Sequence, residues 1–444
     1  MNQTWPTFPG SSVPLVLHIC RRFYPQSNGS ETYTGALIPL LTERGISNRM
    51  LAAGSPEEHY FWLDIPITRA DDSTAESISG RTRFYDRFVV LLDAHAPDVV
   101  HWHFLPVDVA PMMNASIRRG IRNIHTLHHP VTLCGRHDFI RMGKTVCLRT
   151  PSAANCGPCM LHFHGVPRAL AAPYSAISQI IPAATKQSLP PSKLKTSLTL
   201  TEDIGRWVDS QQCSLSRFSQ HVVLSKASAD ALVRSGVHRE NIFISRLGTR
   251  HAAPSKGHWT SWQSSARPVR MIFVGRLDAV KGIVTLVDAA NRFTDTELQL
   301  DIYGVPGDAE ARVMQLLKRT GCPARFCGFL PPDDVVNRMA EYDFVTIPSE
   351  FFETGPFTAV EALQAGTPII AADISSLNEF VDHGRSGWLV QPGSVDAWAA
   401  ALRRAIDEPE IAAQMRVRSS FPRSMSDVAD EMVQLYSQLL LSHV

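Results

Sequence analysis

Short apolar runs alternate with amphipathic segments along the first 250 residues of the chain. The runs predicted as buried strands are 13–19, 47–53, 98–103, 123–129 and 221–226. Residues 32–45 carry apolar side chains at helical spacing and close on Gly45, which predicts a helix. Residues 160–215 follow no clear period, and we predict no elements there. Strands that alternate with helices predict a mostly parallel sheet covered by helices.

A second alternating series begins at residue 269. Its predicted strands are 269–275, 298–304, 341–348, 367–373 and 387–390, and its predicted helices are 282–293, 310–320 and 356–366. The stretch 251–268 is rich in Ser, Pro, Gly and His without apolar periodicity, which indicates an interdomain linker. The pattern predicts an α/β protein with two Rossmann-like domains, 1–250 and 269–422. We expect their parallel sheets to face each other across a cleft, with ligands beyond the carboxyl ends of the strands.

The composition is typical of a soluble globular protein. Hydrophobic residues make up 44% and charged residues 19% of 444 residues, a length that allows two domains. The formal net charge of +1 argues against a dedicated nucleic-acid-binding protein, which usually carries a basic excess. The sequence shows no apolar run of membrane-spanning length and no signal-peptide pattern at its start. We therefore expect a cytoplasmic protein, and we leave open peripheral contact with a membrane.

Four of the eight cysteines cluster in one segment. They are Cys134, Cys147, Cys156 and Cys159, with the spacing C-x12-C-x8-C-x2-C. Disulfides are not the default in a cytoplasmic chain, whereas four thiolates that include one CxxC pair suit tetrahedral zinc. Such a zinc ion would be structural, because four thiolates leave no open coordination position. The alternative is a set of four reduced, partly buried thiols.

The segment GRLDAVKG, residues 275–282, directly follows a predicted strand. Arg276 and Lys281 place two cations near the start of the next helix, where N–H groups and the helix dipole also favour an anion. An arginine can hold two phosphate oxygens, and a lysine adds a point charge. The segment therefore predicts an anion site, although taken alone it could equally be a solvated basic turn.

Two glutamates bracket the predicted helix start in SEFFETGPFTAVEALQAG, residues 349–366. Glu353 falls in the loop after a strand, and Glu361 falls about one turn inside a helix that begins after Pro356. Each carboxylate could accept hydrogen bonds from sugar hydroxyls, while the helix start between them faces an anion. The alternative is an acid favoured by the helix dipole together with a solvated Glu361.

This half of the chain resembles the retaining glycosyltransferases of family 4, which have the GT-B fold and use nucleotide-sugar donors. The resemblance runs from VGRLDAVKG at 274–282 to GWLV at 387–390 and continues weakly to the C-terminus. It rests on the order of four motifs, which are Gly-Arg-x4-Lys, Gly-Phe-Leu, Pro-Ser and two glutamates with seven residues between them. The ordered set is far more specific than any one motif.

The resemblance implies a role for each matching residue. Arg276 and Lys281 match the pair that binds the donor diphosphate. Glu353 matches the acid that contacts the hydroxyls of the transferred sugar, and Glu361 matches the acid that holds the ribose. The other matches are Gly328 and Leu330 beside the base, and Phe357 and Thr358, whose amides meet the phosphate. After the first glutamate the family often has an aromatic residue that this chain lacks, which leaves the donor sugar open.

The first half resembles the family less closely. Residues 23–45 are similar to its glycine-rich first loop and helix, with Asn28 and Gly29 where two glycines are usual. The resemblance implies that Gly29 brings a backbone N–H near the leaving phosphate or the acceptor. His128 matches a family histidine near the transferred sugar, whereas we expect His101 to be a structural residue.

The function implied is a retaining hexosyltransferase that uses a nucleotide diphosphate sugar and a saccharide or lipid-linked acceptor. The family context suggests bacterial surface or exopolysaccharide biosynthesis, and the final helix, about 423–444, is expected to pack back on the first domain. No Asp-x-Asp motif stands at a strand end, so we expect no cofactor and no metal for the chemistry. An NAD-dependent oxidoreductase would need G-x-G-x-x-G, a spacing that residues 19–31 lack. A non-catalytic scaffold that binds nucleotide sugars remains the alternative.

Overall fold

The computed structural model of the protein describes most of the chain. The described residues are 13–21, 23, 29–54, 58–70, 78–106, 109–130, 133–190, 192–250, 267–418 and 423–441. They fall into two compact units, of which the first combines Met1–Arg246 with Met425–Val444 and the second is Leu247–Ser424. The predicted linker lies outside the described residues apart from its last two positions.

The first unit is built on an eight-stranded sheet with helices on its faces. The strands of this sheet are β1 (Leu15–Cys20), β2 (Ser47–Ala53), β3 (Glu58–Trp62), β4 (Ile65–Ala70), β5 (Val99–Trp102), β6 (Arg122–Leu127), β9 (Gln220–Val223) and β10 (Ile242–Ile244). Two further strands, β7 (Ile140–Arg141) and β8 (Thr145–Val146), form a separate antiparallel pair. Its helices before the second unit are α1 (Gly29–Glu43), α2 (Ile78–His95), α3 (Ala110–Ile117), α4 (Ala153–Phe163), α5 (Arg168–Ile180), α6 (Ala183–Ser188), α7 (Lys193–Leu215) and α8 (Lys226–Arg234).

The strand order in this sheet is β10-β9-β6-β5-β1-β2-β4-β3. Neighbouring strands run parallel, except that β3 pairs antiparallel with β4 at the edge. Successive side chains of a strand point to opposite faces. One core therefore contains Leu17, Ile19, Phe84, Phe88 and Trp102. The core on the other face contains Cys20, Ile38, Met50 and Ile67.

The second unit has a six-stranded parallel sheet. Its strands are β11 (Val269–Val274), β12 (Leu298–Tyr303), β13 (Ala324–Gly328), β14 (Phe344–Ile347), β15 (Ile369–Ala372) and β16 (Gly387–Val390). Its helices are α9 (Ile283–Ala290), α10 (Glu310–Leu317), α11 (Val335–Met339), α12 (Phe357–Gln364), α13 (Leu377–Phe380), α14 (Val395–Asp407) and α15 (Pro409–Arg418). The order β13-β12-β11-β14-β15-β16 places β11 at the point where the chain changes direction across the sheet.

The last helix, α16 (Met425–Leu441), belongs to the first unit. It packs against α1, where the Arg44 guanidinium Nε donates to Asp430 Oδ1 at 2.5 Å. The Tyr436 hydroxyl of α16 lies 2.6 Å from Nδ1 of His101 on β5. Among the helices that the structure describes, none combines the length and apolar character needed to cross a membrane.

The predicted α/β class with parallel sheets is confirmed. The structure adds elements that the pattern did not predict, among them the β3–β4 pair, β10, β13 and the helices α2, α8, α14 and α4 to α7. The helices α4, α5 and α7 pack on one another and bury Leu161, Ala171 and Met142 in a small core of their own. The segment without a clear period is therefore a helical layer.

Candidate functional site

The candidate site in the second unit lies at the change of direction in the sheet. β11 pairs with β12 on one side and with β14 on the other. Ligands of open parallel sheets bind at such a point, beyond the carboxyl ends of the two strands. The loops that follow these strands, 275–282 and 348–356, carry Arg276, Lys281 and Glu353. The topology therefore brings these three sequence-predicted residues to the carboxyl ends of the two central strands, and we call this end of the sheet the sheet edge of the second unit.

A close backbone contact joins the two loops. Gly282 has the left-handed φ of +69°, and a Cβ placed on it would lie 1.9 Å from the carbonyl oxygen of Pro348. The N–H of Glu350 donates to the carbonyl oxygen of Val280 at 2.8 Å. A side chain at position 282 would therefore separate the two loops.

Replacing Gly282 by alanine is expected to destabilise the second unit more than replacing Gly321, which serves as the matched control. Both glycines have a left-handed φ, +69° and +74°, but nothing lies within 4 Å of a Cβ on Gly321. The backbone penalty of about 1–2 kcal/mol is shared by both variants. The clash with Pro348 adds about 1–3 kcal/mol in Gly282→Ala alone. Urea unfolding curves measure both losses, and equal losses would show that the loops separate without cost.

Lys281 and Glu353 form an ion pair across the two loops. Lys281 Nζ donates to Glu353 Oε1 at 2.8 Å, and the Ser349 hydroxyl donates to the same oxygen at 2.6 Å. The backbone N–H of Glu353 donates to the Ser375 hydroxyl at 2.9 Å. Glu353 is 6% exposed, so the ion pair and the hydrogen bond from Ser349 offset the cost of burying its charge. The Lys281 ammonium also lies 4.5 Å from the centre of the Phe351 ring.

Arg276 is held beside this pair by a different acid. Its guanidinium Nε donates to Asp278 Oδ2 at 2.7 Å, and the Arg276 side chain is 53% exposed. A Cβ on Gly307 would lie 2.3 Å from Asp278 Oδ1, so the next loop packs against this acid. Arg276 and Lys281, in the loop after β11, are therefore each already paired with a carboxylate.

Glu361 is paired with a residue that the sequence analysis missed. Arg250 donates from Nη2 to Glu361 Oε1 at 2.9 Å, and its guanidinium lies 5.4 Å from the centre of the Phe357 ring. The Arg250 Nε is buried and has no hydrogen-bond partner among the described atoms. No sequence signal pointed to Arg250, because it stands 111 residues from Glu361, at the end of the first series.

The helix whose start lies between the two glutamates begins where the sequence predicted. α12 starts at Phe357 after Pro356, and the side chain of this N-cap residue makes no capping hydrogen bond. The amides of Phe357 and Thr358 therefore remain available to an anion at this helix start. Glu361 is buried one turn further on, so it is not the solvated acid of the alternative interpretation.

The predicted base-binding segment lies at the end of β13. Gly328 has a φ of +84° and its carbonyl oxygen accepts a hydrogen bond from Gly304 N–H at 2.9 Å. Leu330 is buried, while Phe329 between them is 64% exposed. Among the described contacts none joins Gly328 or Leu330 to the Lys281–Glu353 pair. Their assignment to the nucleoside stays a prediction.

In the first unit, His128 follows β6 and is half-buried at the end of a cluster of histidines whose other members, His18, His101 and His103, are buried. Its Nε2 lies 3.1 Å from His103 Nδ1, and its ring meets the edge of the Tyr33 ring, with the centroids 4.8 Å apart. Gly29 is the first residue of α1, while Asn28 lies outside the described residues. The Nδ1 of His101 lies 2.6 Å from the Tyr436 hydroxyl, and its Nε2 lies 2.7 Å from the Thr126 hydroxyl. His101 thus has the contacts of a structural residue.

Burial lowers the pKa of each histidine in this cluster. The pKa of His18 falls to about 4 and that of His128 to about 3, and in both cases burial is the main cause. Burial and then the neighbouring imidazoles hold the pKa values of His101 and His103 well below the ordinary value. The cluster is therefore neutral at physiological pH.

The four cysteines of the predicted zinc site do not meet at one point. Cys156 and Cys159 lie on α4, and the Cys159 sulfur accepts a hydrogen bond from Met142 N–H at 3.2 Å. Burial raises the pKa of the Cys134 thiol to about 11. In the part of the chain that the structure describes, the metal-binding atoms that lie within 4.8 Å of one another belong to His18, His101 and His103. Zinc on the cysteines stays a prediction, and it would require the loop to draw the sulfur atoms together.

Known proteins match the chain over both halves. The model of Glycosyltransferase Family 4 matches residues 27–251, and the model of Glycosyl transferases group 1 matches residues 261–419. Glycogen synthase of Mycobacterium tuberculosis is 32% identical over 178 residues, 37% of this chain and 42% of that protein. The amylovoran biosynthesis glycosyltransferase AmsK of Erwinia amylovora is 26% identical over 209 residues, 42% of this chain and 48% of that protein. The chain thus spans less than half the length of these relatives.

A solved structure shares the fold. The crystal structure of Anabaena HepE in complex with UDP and glucose superposes with a TM-score of 0.61 and 16% identity, over 97% of this chain and 99% of that chain. At this identity the likeness shows the fold alone, which is the GT-B fold predicted from the sequence. The family model that covers residues 27–251 spans more than half of the 444 residues. The chain belongs to glycosyltransferase family 4.

Proposed function

We propose that the protein is a retaining hexosyltransferase that moves a sugar from a nucleotide diphosphate sugar to a saccharide or lipid-linked acceptor. The observation that carries the proposal is the Lys281–Glu353 pair at the sheet edge of the second unit, with Nζ and Oε1 2.8 Å apart. It sets a cation for phosphate beside a carboxylate for sugar hydroxyls. Family membership supports transfer from a nucleotide sugar.

Lys281 and Arg276 would bind the donor diphosphate. An ammonium has three N–H donors, so Lys281 can keep its bond to Glu353 and still donate to a phosphate oxygen. Arg276 is half exposed, so its guanidinium can turn from Asp278 to a phosphate. The amides of Phe357 and Thr358 at the start of α12 would add neutral donors to the same group.

Glu361 would hold the ribose, and the backbone at Gly328 and Leu330 would lie against the base. Arg250 holds Glu361 in the described state, at 2.9 Å. A ribose hydroxyl can donate to the second carboxylate oxygen while the ion pair persists, because each carboxylate offers about four lone pairs. HepE was crystallised with UDP and glucose, which supports a uridine diphosphate sugar as the donor here.

The chemistry would proceed on one face of the sugar. The bond from the anomeric carbon to the diphosphate oxygen breaks while a bond to the acceptor oxygen forms on the same face. The acceptor proton passes to the leaving diphosphate oxygen, whose charge Lys281 and Arg276 offset. Glu353 would hold hydroxyls of the transferred sugar, and His128 and Gly29 of the first unit would contribute to the same step, as the family resemblance implies.

The acceptor is proposed to be a saccharide or a lipid-linked saccharide in bacterial surface or exopolysaccharide biosynthesis. The names of two relatives, glycogen synthase and an amylovoran biosynthesis glycosyltransferase, support transfer to a carbohydrate.

A panel of nucleotide sugars tests the function without a known acceptor. Thermal shift should first identify the donor that raises the unfolding temperature. Proton NMR should then follow slow transfer of its sugar to water. From an α-linked donor we expect the released hexose to appear first as the α anomer. A β anomer would contradict retention, and tight binding without turnover, with water or with any saccharide acceptor, would favour the scaffold alternative.

A further inference from the structure

A hydrogen-bonded chain connects Asn48 on β2 to His128 at the end of β6. Asn48 Oδ1 lies 3.0 Å from His18 Nε2, and His18 Nδ1 lies 3.1 Å from His103 Nε2. His103 Nδ1 in turn lies 3.1 Å from His128 Nε2. Asn48, His18 and His103 are each no more than 5% exposed. This series of hydrogen bonds, from Asn48 to His128, lies entirely inside the first unit.

Asn48 fixes the direction. Its side-chain Nδ2 donates to the Ile46 carbonyl oxygen at 2.9 Å and to the Thr42 hydroxyl at 3.0 Å. A carbonyl oxygen can only accept, so this nitrogen is placed correctly and Oδ1 must face His18. An amide oxygen also only accepts, so the proton of the first imidazole sits on His18 Nε2.

The remaining protons follow from neutrality. A neutral imidazole carries one proton, so His18 Nδ1 is an acceptor and His103 Nε2 must donate to it. His103 Nδ1 is then an acceptor, and His128 Nε2 must donate to it. His128 is left with its lone pair on Nδ1. The tautomer of His128 is thus set by Asn48, through three successive hydrogen bonds.

A metal ion would be a competing use of the same histidines. The candidate ligand atoms of His18, His101 and His103 lie within 4.8 Å of one another. Both nitrogens of His101, however, already contact hydroxyl groups, those of Tyr436 and Thr126. The facing nitrogens of His18 and His103 are 3.1 Å apart and share one proton. The contacts favour a proton-ordered chain over a metal site.

We propose that Asn48, His18 and His103 are positioning residues that hold His128 as the tautomer with an acceptor Nδ1, which receives a hydrogen bond from a hydroxyl of the transferred sugar. The hydrogen bond between His128 and the sugar rests on the proposed function. The hydrogen-bonded series also explains how His18 and His103 can be buried together. Each needs a partner for both nitrogens, and only an ordered sequence of donors and acceptors supplies them.

Long-range ¹H–¹⁵N correlation spectra of histidine-labelled protein report the tautomers directly. The His128 signals are assigned by their loss in His128→Gln. In the wild-type protein without ligand we expect the proton of His18, His103 and His128 on Nε2. A proton on Nδ1 of His128 would overturn the proposal before any enzyme assay, so this test does not depend on the proposed function.

Two substitutions of Asn48 distinguish the effect of its hydrogen bond to His18 from the effect of losing its other contacts. Both Asn48→Ala and Asn48→Asp lose the hydrogen bonds that Nδ2 donates to Ile46 and Thr42. Aspartate keeps an acceptor facing His18, whereas alanine removes it. We expect mixed His128 tautomers and about a tenfold lower turnover, without a matching rise in KM, in Asn48→Ala alone. An unchanged tautomer in Asn48→Ala would overturn the proposal.

Asn123→Ala is the matched control. Asn123 is another buried asparagine of the same sheet, and its Oδ1 accepts from Trp102 Nε1 and from the Ser116 hydroxyl, both at 2.9 Å. Its loss should lower stability without changing the His128 tautomer. If Asn48→Ala shifts the tautomer but leaves turnover unchanged, the proposed contact of His128 with the sugar is wrong.

Discussion

Replacing Glu353 by glutamine is expected to lower sugar transfer by about a hundredfold or more, while binding of the free nucleotide diphosphate stays within a few-fold of wild type. A buried carboxylate that holds the sugar acts on the transition state, and loss of one such contact costs about 10²–10³ in rate. Glutamine keeps the shape and one acceptor oxygen for Ser349. It removes the charge that holds Lys281, which frees the ammonium for phosphate.

Turnover assays and calorimetry with the nucleotide diphosphate measure the two effects separately. Glu350→Gln is the matched control, because Glu350 belongs to the same loop and accepts from the Thr285 hydroxyl at 2.5 Å. It should leave transfer close to wild type. Equal loss of binding and transfer in Glu353→Gln would mean that Glu353 holds the nucleotide, or the fold, and not the sugar.

Replacing Lys281 by alanine should weaken nucleotide diphosphate binding by about 10- to 100-fold. A hydrogen bond between charged groups contributes about 1.5–3 kcal/mol, and about 1.4 kcal/mol corresponds to a factor of ten. The same change leaves Glu353 buried without its cation, since among the described contacts the Ser349 hydroxyl is then the remaining donor to that oxygen. The variant should therefore lose stability as well as affinity.

The double variant Lys281→Ala with Glu353→Gln separates these two losses. It should recover stability relative to Lys281→Ala alone, because no unpaired charge stays buried, and it should still bind the diphosphate weakly. Lys318→Ala, at an exposed lysine after α10, controls for loss of one positive charge. Unchanged affinity of Lys281→Ala in calorimetry would remove the diphosphate assignment.

The parts of the fold predicted from sequence are those whose pattern is local. The buried parallel strand β16 is a continuous apolar run and β2 ends in one, and both were predicted with the bounds that the structure gives. The β3–β4 pair was not predicted, because β3 is the edge strand of its sheet and is buried on neither face. The helices α4 to α7 were not predicted either, and two of them, α4 and α5, contain an internal proline, Pro158 and Pro173, which in a sequence argues against a helix.

In the candidate site, too, local motifs could be predicted from the sequence, whereas contacts between distant residues could not. Motif order identified Lys281 and Glu353, but their ion pair joins residues 72 positions apart and depends on the order of the strands. Arg250 could not be predicted, because nothing around it in the sequence distinguishes it from a surface arginine. His128 was predicted from the resemblance alone. Its connection to Asn48 depends on the pairing of β1 with β2 and β5, which the sequence does not show.

The buried imidazoles also tie the folding free energy of the first unit to acidity. The pKa values of His18 and His221 are about 4 in the folded protein, against 6.5 when the side chain is exposed. Their neutral burial contributes fully to stability above pH 6.5. As the pH falls from there toward 4, the unfolded chain takes up protons that the folded unit excludes, and stability declines. Among the residues that the structure describes, His383 is the one histidine of the second unit. Mild acid should therefore weaken one half of the protein before the other.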